Sequence, residues 1–196
     1  NIEPKPVHLA QYGVMGEAYA RALVGIKEPR VAIMNVGGEE QKGTDDMRLA
    51  RDLLRRAEGS NFTGFVEGRG VFDGEADVVI TDGVVGNVMI KLAEGLSSGI
   101  FKALAREVLA IDPELAARLE PVVKSLYAKH DYHEYGGAPL LGVNGVCLIS
   151  HGSSQARTIM NAILRMRLFV LSGVNTTISN RRGELRAMGI DAEVTA

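Results

Sequence analysis

The sequence predicts an α/β fold on a mainly parallel sheet, and three observations carry that prediction. Short apolar runs rich in β-branched residues recur, at residues 30–36 (RVAIMNV), 61–66, 78–81 (VVIT) and 145–150 (GVCLIS). Three of them run into a polar, glycine-bearing turn and then a stretch of helical period. The opening order strand, helix, strand, strand, helix is that of parallel strands joined by crossover helices.

Residues 6–23 read as the first helix, with Pro6 suited to its first turn. Gly13, Gly16 and Ala20 fall at helical spacing and make a smooth stripe, with Leu9, Tyr12, Tyr19 and Leu23 nearby. Glycine inside a helix costs about 1 kcal/mol against alanine, so the stripe implies a closely packed neighbour. Glu28-Pro29 forces an extended chain into the first strand. The loop GGEEQKG, residues 37–43, follows and carries Lys42. Thr44 is a good N-cap for a helix to about residue 58, with Asp45 and Asp46 in its first turn and Arg55 and Arg56 in its last. Its apolar face is Met47, Leu49, Ala50, Leu53, Leu54 and Ala57. The strand at 61–66 ends in a second charged, glycine-rich loop, Glu67-Gly68-Arg69-Gly70.

The stretch ADVVITDGVVGNVMIK, residues 76–91, is the organising element. Asp82-Gly83 breaks the strand, Gly86 follows, and a helical pattern runs from Asn87 to about residue 109. A helix N-terminus after such a turn offers backbone N–H groups and a favourable dipole to an anion, with Asp82, Asn87 and Lys91 at its mouth. The glycine spacing matches neither the dinucleotide fingerprint nor the P-loop, and a plain βα connection is the alternative reading. Loops bearing Glu39, Lys42, Glu67, Arg69, Asp82 and Asn87 would gather at the C-terminal edge of the sheet, where such folds bind ligands.

Ile111-Asp112-Pro113 separates that helix from a second one reaching about residue 129. Together they predict a protruding helical hairpin inserted at about residues 96–131 of a single α/β domain spanning 1–196. Its apolar positions, Ile100, Leu104, Val108, Leu115, Leu119, Val122 and Leu126, call for a cover: a second subunit, or a membrane surface at the tip formed by Leu109, Ala110, Ile111 and Leu115. Gly136 and Gly137 then allow unusual backbone angles or close approach to a ligand. Cys147, in an apolar strand, reads as a small core residue. His151 stands at that strand's end, either as an acid/base or phosphate ligand or as a histidine bonded locally to hold the turn. Ser153 or Ser154 caps a helix to about residue 171, with Ile159, Met160, Ile163, Met166 and Val170 on its apolar side. Arginines 157, 165, 167, 181, 182 and 186 make the tail basic, which suits either an acidic partner or a solvated face.

Composition narrows the classes. At 196 residues, 46% hydrophobic and 23% charged, the chain is ordinary for a globular protein, and a net charge of −2 argues against general nucleic-acid binding. One cysteine excludes an internal disulfide and fits a reducing compartment. Four scattered histidines form no metal set, and no run of membrane-span length or signal peptide is read. A start at Asn1 rather than Met suggests a piece of a longer protein.

The blocks HLAQYGVMGEAYARALVGIKEPRVAIMNVGGEE, EEQKGTDD, FVEGRGVFDGEADVVITDGVVGNVMIK and YGGAPLLGVNGVCLISHGSS, in this order over about residues 1–165, resemble the bacterial phosphate acyltransferases called PlsX. That resemblance implies a three-layer α/β/α fold like isocitrate and isopropylmalate dehydrogenases, long helices pairing in a homodimer, and a chain that corresponds to the C-terminal portion. It implies transfer of a fatty acyl chain from acyl carrier protein to inorganic phosphate, giving acyl phosphate for phospholipid synthesis. No cofactor or metal is implied, and the location is cytoplasmic with peripheral membrane contact. On that reading His151, Asn87 and Lys42 are the catalytic candidates. Arg69, Asp82, Gly83, Gly86, Lys91, Gly136, Gly137 and Ser153 are candidates for holding phosphate or substrate. The arginine-rich tail is then a dock for the acidic carrier. Three alternatives stay open: a related enzyme using acyl-CoA, a nicotinamide-dependent dehydrogenase, and a non-catalytic module for dimerisation and membrane docking.

Overall fold

The computed structural model describes residues 1–129, 136–152 and 154–190. Its elements in chain order are α1 (Pro6–Tyr19), β1 (Val31–Met34), α2 (Asp45–Arg56), β2 (Phe62–Val66), α3 (Gly68–Phe72), β3 (Val78–Ile80), α4 (Gly83–Ile111), α5 (Pro113–Lys129), β4 (Ala138–Pro139), β5 (Leu148–Ile149), α6 (Ala156–Ser172) and α7 (Val174–Ala187). The protein is therefore α/β, as the sequence predicts. The chain divides into two compact units: one of Asn1–Val84, Leu140–Cys147 and the residues from Arg167 onward, the other of Val85–Pro139 and Leu148–Met166.

In the first unit β1 lies between β2 and β3, and both pairings are parallel. All four β1 residues are buried, as expected of a central parallel strand. Val31 and Ile33 meet Leu9 and Ala10 of α1, Ala50 and Leu54 of α2, and Ile80 of β3 in one core cluster. Thr44 caps α2 as predicted, its hydroxyl accepting from the Met47 N–H at 3.2 Å. The glycine stripe of α1 does what its spacing suggests. A Cβ at Gly13 would stand 2.7 Å from Leu54 Cδ2, and one at Gly16 would stand 2.6 Å from Val78 Cγ1. Gly16→Val is expected to cost roughly 2 kcal/mol by overpacking, read as a lower urea midpoint at an unchanged slope.

The tail, which lies outside the motif blocks, is part of this unit's core. Val174 and Ile178 of α7 pack with Ala18 and Phe169, and Leu185 and Ile190 pack with Val14 and Ala57. Arg181 donates to the Glu58 carbonyl at 2.6 Å and pairs with Glu184, so this arginine of the basic tail has a structural task.

Arg30 and Asp77 join the N-terminal ends of β1 and β3. The Asp77 carboxylate accepts from the Arg30 backbone N–H at 2.8 Å and from Nε and Nη2 at 3.0 Å. These bonds hold its carboxyl below the usual aspartate range. A lowered folded pKa gives stability that is complete above the unfolded value and lost as pH falls through the folded one. Asp77→Asn should therefore lower the urea midpoint at about pH 7 and flatten its decline toward about pH 2.5.

In the second unit α4 and α5 are separated only by Asp112, whose carboxylate accepts from the N–H groups of Glu114 and Leu115 at 2.9 and 3.0 Å. The facing residues Leu104, Val108, Leu109, Pro113, Leu119 and Val123 line an apolar groove of about 510 Å³. Ile100, Leu104, Leu115, Val122 and Leu126 remain exposed in this single chain.

Several local expectations are corrected. α4 begins at Gly83 rather than Asn87, because the Asp82 carboxylate accepts from the Val84 N–H at 2.8 Å and caps the helix there. Residues 68–72 form the short helix α3 where a loop was expected. Leu49 on α2 is 51% exposed. Residues 145–150 do not enter the parallel sheet; Leu148–Ile149 pair antiparallel with Ala138–Pro139, and Cys147 is exposed rather than in a core. Pro139 lacks an N–H, which helps keep that ladder to two residues. On α6 the side that includes Ile159, Met160, Ile163 and Val170 is exposed, while Thr158, Ala162 and Phe169 are buried. α4 is long and apolar enough, by length and composition, to cross a membrane, which the sequence reading did not allow for.

Candidate functional site

The first turns of α4 present one helical face at i, i+3, i+4 and i+7: Asn87, Ile90, Lys91 and Glu94. Across from them run Gly137 and Ala138 at the start of β4, and Ile149, Ser150 and His151 at the end of β5. The two strands are in register with Ala138 opposite Ile149, so Gly137 is brought to the level of Ser150. These nine residues line one cleft of about 520 Å³, wholly within the second unit.

The glycines permit this wall. Gly137 has φ +147, and a Cβ there would lie 2.6 Å from the Ile149 carbonyl oxygen and 2.9 Å from Ser150 Oγ. Gly136, buried with φ +78, leaves no room for a Cβ against the Ala162 backbone nitrogen, and places one 2.7 Å from the Asn161 carbonyl carbon. Ser150 Oγ donates to the Gly136 carbonyl at 2.7 Å and ties the two strands just beside the cleft. The glycine pair thus takes the unusual backbone angles that the sequence suggested, and lets backbone lie directly on backbone.

The cleft holds one ammonium, one carboxamide, one imidazole, one hydroxyl and one carboxylate. Asn87, Lys91 and His151 are exposed in the single chain, so a ligand can reach all three. Such a set can neutralise an anion, donate to a developing oxyanion and move a proton.

Four of the predicted site residues, Asn87, Lys91, Gly137 and His151, are brought together here, with Gly136 alongside. Gly86 lies in the first turn of α4 and does not line the cleft. Asp82 and Gly83 belong to the first unit, where the N–H groups of Gly83 and Val84 already donate to the Asn1 carbonyl, at 2.6 Å, and to Asp82. Lys42 and Arg69 are also in the first unit; Arg69 pairs with Glu67 at 3.4 Å. Ser153 lies outside the described residues. The sequence reading missed Ile90, Glu94, Ala138, Ile149 and Ser150. Helical spacing from Asn87 and Lys91 could have found the first two, and Ser150 adjoins His151.

Comparison with known proteins follows the same stretches. Residues 1–177 match the family described as Fatty acid synthesis protein. The phosphate acyltransferase of Syntrophotalea carbinolica is 44% identical over 188 residues, covering 93% of this chain and 53% of that protein. That of Pelotomaculum thermopropionicum is 47% identical over 167 residues, covering 83% and 48%. That of Myxococcus xanthus is 42% identical over 191 residues, covering 95% and 54%. The chain spans about half the length of the curated relatives it matches.

Proposed function

The chain belongs to the fatty acid synthesis protein family, and on that premise we propose that it is part of an enzyme moving a long-chain fatty acyl group from acyl carrier protein to inorganic phosphate. The observation that carries the reading is the convergence of Asn87, Lys91 and His151, from well-separated stretches of chain, on one accessible cleft. Similarity to relatives named phosphate acyltransferase supplies the reaction type.

Phosphate needs its charge met without being wholly desolvated; Lys91 supplies a cation for it. A phosphate oxygen attacks the thioester carbonyl carbon, a C–O bond forms, and the tetrahedral oxyanion takes a hydrogen bond from the Asn87 carboxamide. The C–S bond then breaks and the sulfur leaves as a thiolate, which needs little acid help. His151 orients phosphate or returns a proton to the sulfur. No protein nucleophile is required, since phosphate is itself the nucleophile. Lys42 and Arg69 stay as further candidates for phosphate.

The finer architecture belongs to the same proposal. We take the fold as three-layered and dehydrogenase-like, with α4 and α5 as a protruding hairpin on one α/β domain. Exposed Ile100, Leu104, Leu115 and Val122 favour cover by a second copy, as a homodimer. Leu109 and Ile111, also exposed at the turn between the helices, suit contact with the cytoplasmic membrane surface.

The test is a comparison of donors. Acyl phosphate formed from acyl carrier protein and phosphate supports the proposal. Formation from acyl-CoA alone would move the assignment to an enzyme like the phosphate acetyl- and butyryltransferases. Liposome flotation without turnover from either donor would leave a docking module.

A further inference from the structure

The Glu94 carboxylate lines the cleft with Asn87, Lys91, Ser150 and His151, yet the acyl transfer leaves it without a task. It is the only carboxylate among the residues of that cleft. Asn87, Lys91 and Glu94 follow one another a turn apart along one face of α4. Residues three apart on a helix have Cβ atoms about 5–6 Å from each other, so an oxyanion held by Lys91 lies within reach of Glu94. Both side chains are exposed and open to a ligand. Lys91 precedes Glu94, which is the less favourable order for an ion pair along a helix, and among the described residues the two form none. In the same unit α5 has the favourable order, and there Lys124 closes on Glu120 at 2.6 Å.

A carboxylate one turn from the lysine works against a site meant for any anion. It suits an oxyanion that carries a proton. In monohydrogen phosphate one oxygen is a P–O–H, which donates to a carboxylate while Lys91 offsets the like charge. Sulfate has the same tetrahedral shape and the same double charge but no proton. Facing Glu94 it would set acceptor against acceptor, and its charge would meet another of the same sign with no hydrogen bond in return.

We propose that Glu94 selects protonated phosphate in the cleft by accepting its P–O–H, and so excludes fully ionised oxyanions such as sulfate. The inference rests on the phosphate reading above and adds a specificity-determining residue to it. The same bond orients the nucleophile. With the protonated oxygen held by Glu94, the unprotonated oxygens are left for Lys91 and for attack on the thioester.

The test is calorimetry with inorganic phosphate and, separately, inorganic sulfate, on the full-length protein that contains this chain. It is run at about pH 8, where phosphate is chiefly the dianion and matches sulfate in charge. The wild-type protein should bind phosphate about a hundred-fold more tightly than sulfate, the difference one charged hydrogen bond makes. Glu94→Gln keeps the side-chain length and an acceptor, and adds an N–H donor. It should raise sulfate affinity about ten-fold and change phosphate affinity by less than about three-fold. Glu94→Asp, which keeps the carboxylate, should retain part of the selectivity. Glu94 is exposed on α4, so these variants leave packing unchanged. Equal affinities for the two anions in the wild-type protein, or unchanged selectivity in Glu94→Gln, would overturn the proposal. A raised KM for the acyl donor with unchanged anion selectivity would overturn it too, and would move Glu94 to the donor's side of the cleft. Failure of the wild-type protein to bind phosphate at all would bring down the phosphate reading itself, an outcome distinct from loss of selectivity.

Discussion

Replacing Lys91 by alanine is expected to raise the apparent KM for phosphate about a hundred-fold, with the fold intact. Lys91 lines the cleft from the exposed face of α4, where no side chain is buried in a core, so its removal leaves packing unchanged. The loss is that of a charge-assisted bond to an anion, on the order of 1.5–3 kcal/mol, or roughly ten- to a hundred-and-fifty-fold. The upper part of that range applies because Glu94, one turn along, also lines the cleft and would then face phosphate without a compensating cation. Lys91→Arg should recover part of the loss. Steady-state kinetics at varied phosphate and fixed donor check this. An unchanged KM in a folded Lys91→Ala protein would remove Lys91 from the site.

The second large effect is structural. Gly136→Ala should cost about 3 kcal/mol or more, from two sources that add. A φ of +78 is unfavourable for any residue with a Cβ, by on the order of 1–3 kcal/mol, and the new methyl would meet backbone atoms of Asn161 and Ala162 that cannot rotate away. Because Ser150 bonds to the Gly136 carbonyl, displacement of this strand also moves the wall that carries His151. Activity should therefore fall together with stability. Exposure of the cleft by hydrogen exchange at residues 148–151 would separate that chain of events from a purely catalytic defect.

Much of the first unit was legible because its signals are local. The Thr44 cap, the β-branched runs and the glycine stripe each depend on a few neighbouring residues, and each is found in place. Of the candidate cleft, Asn87, Lys91, Gly137 and His151 were legible in the sequence. Asn87 and Lys91 share a helix face whichever residue starts the helix, so an error of four residues in that start did no harm. Lys42, Arg69 and Asp82 were grouped with them on the rule that loops at the strand ends of open sheets bind ligands. The structure places those three in the first unit and the cleft in the second. Cys147 misled because an apolar run of strand character says nothing about what covers it; here Leu148–Ile149 pair with Ala138–Pro139, and Cys147 stays exposed. The apolar sides of α4 and α6 are the same lesson, since helical period locates a face but not its cover.

The most direct test of the account is transfer of label from ³²P-phosphate into acyl phosphate by the protein that contains this chain, with long-chain acyl carrier protein as donor. The account predicts label in acyl phosphate, stoichiometric release of carrier thiol, and a rate that falls when Lys91 or His151 is replaced. A folded protein that releases carrier thiol without placing label in acyl phosphate, or whose rate ignores both substitutions, would contradict it.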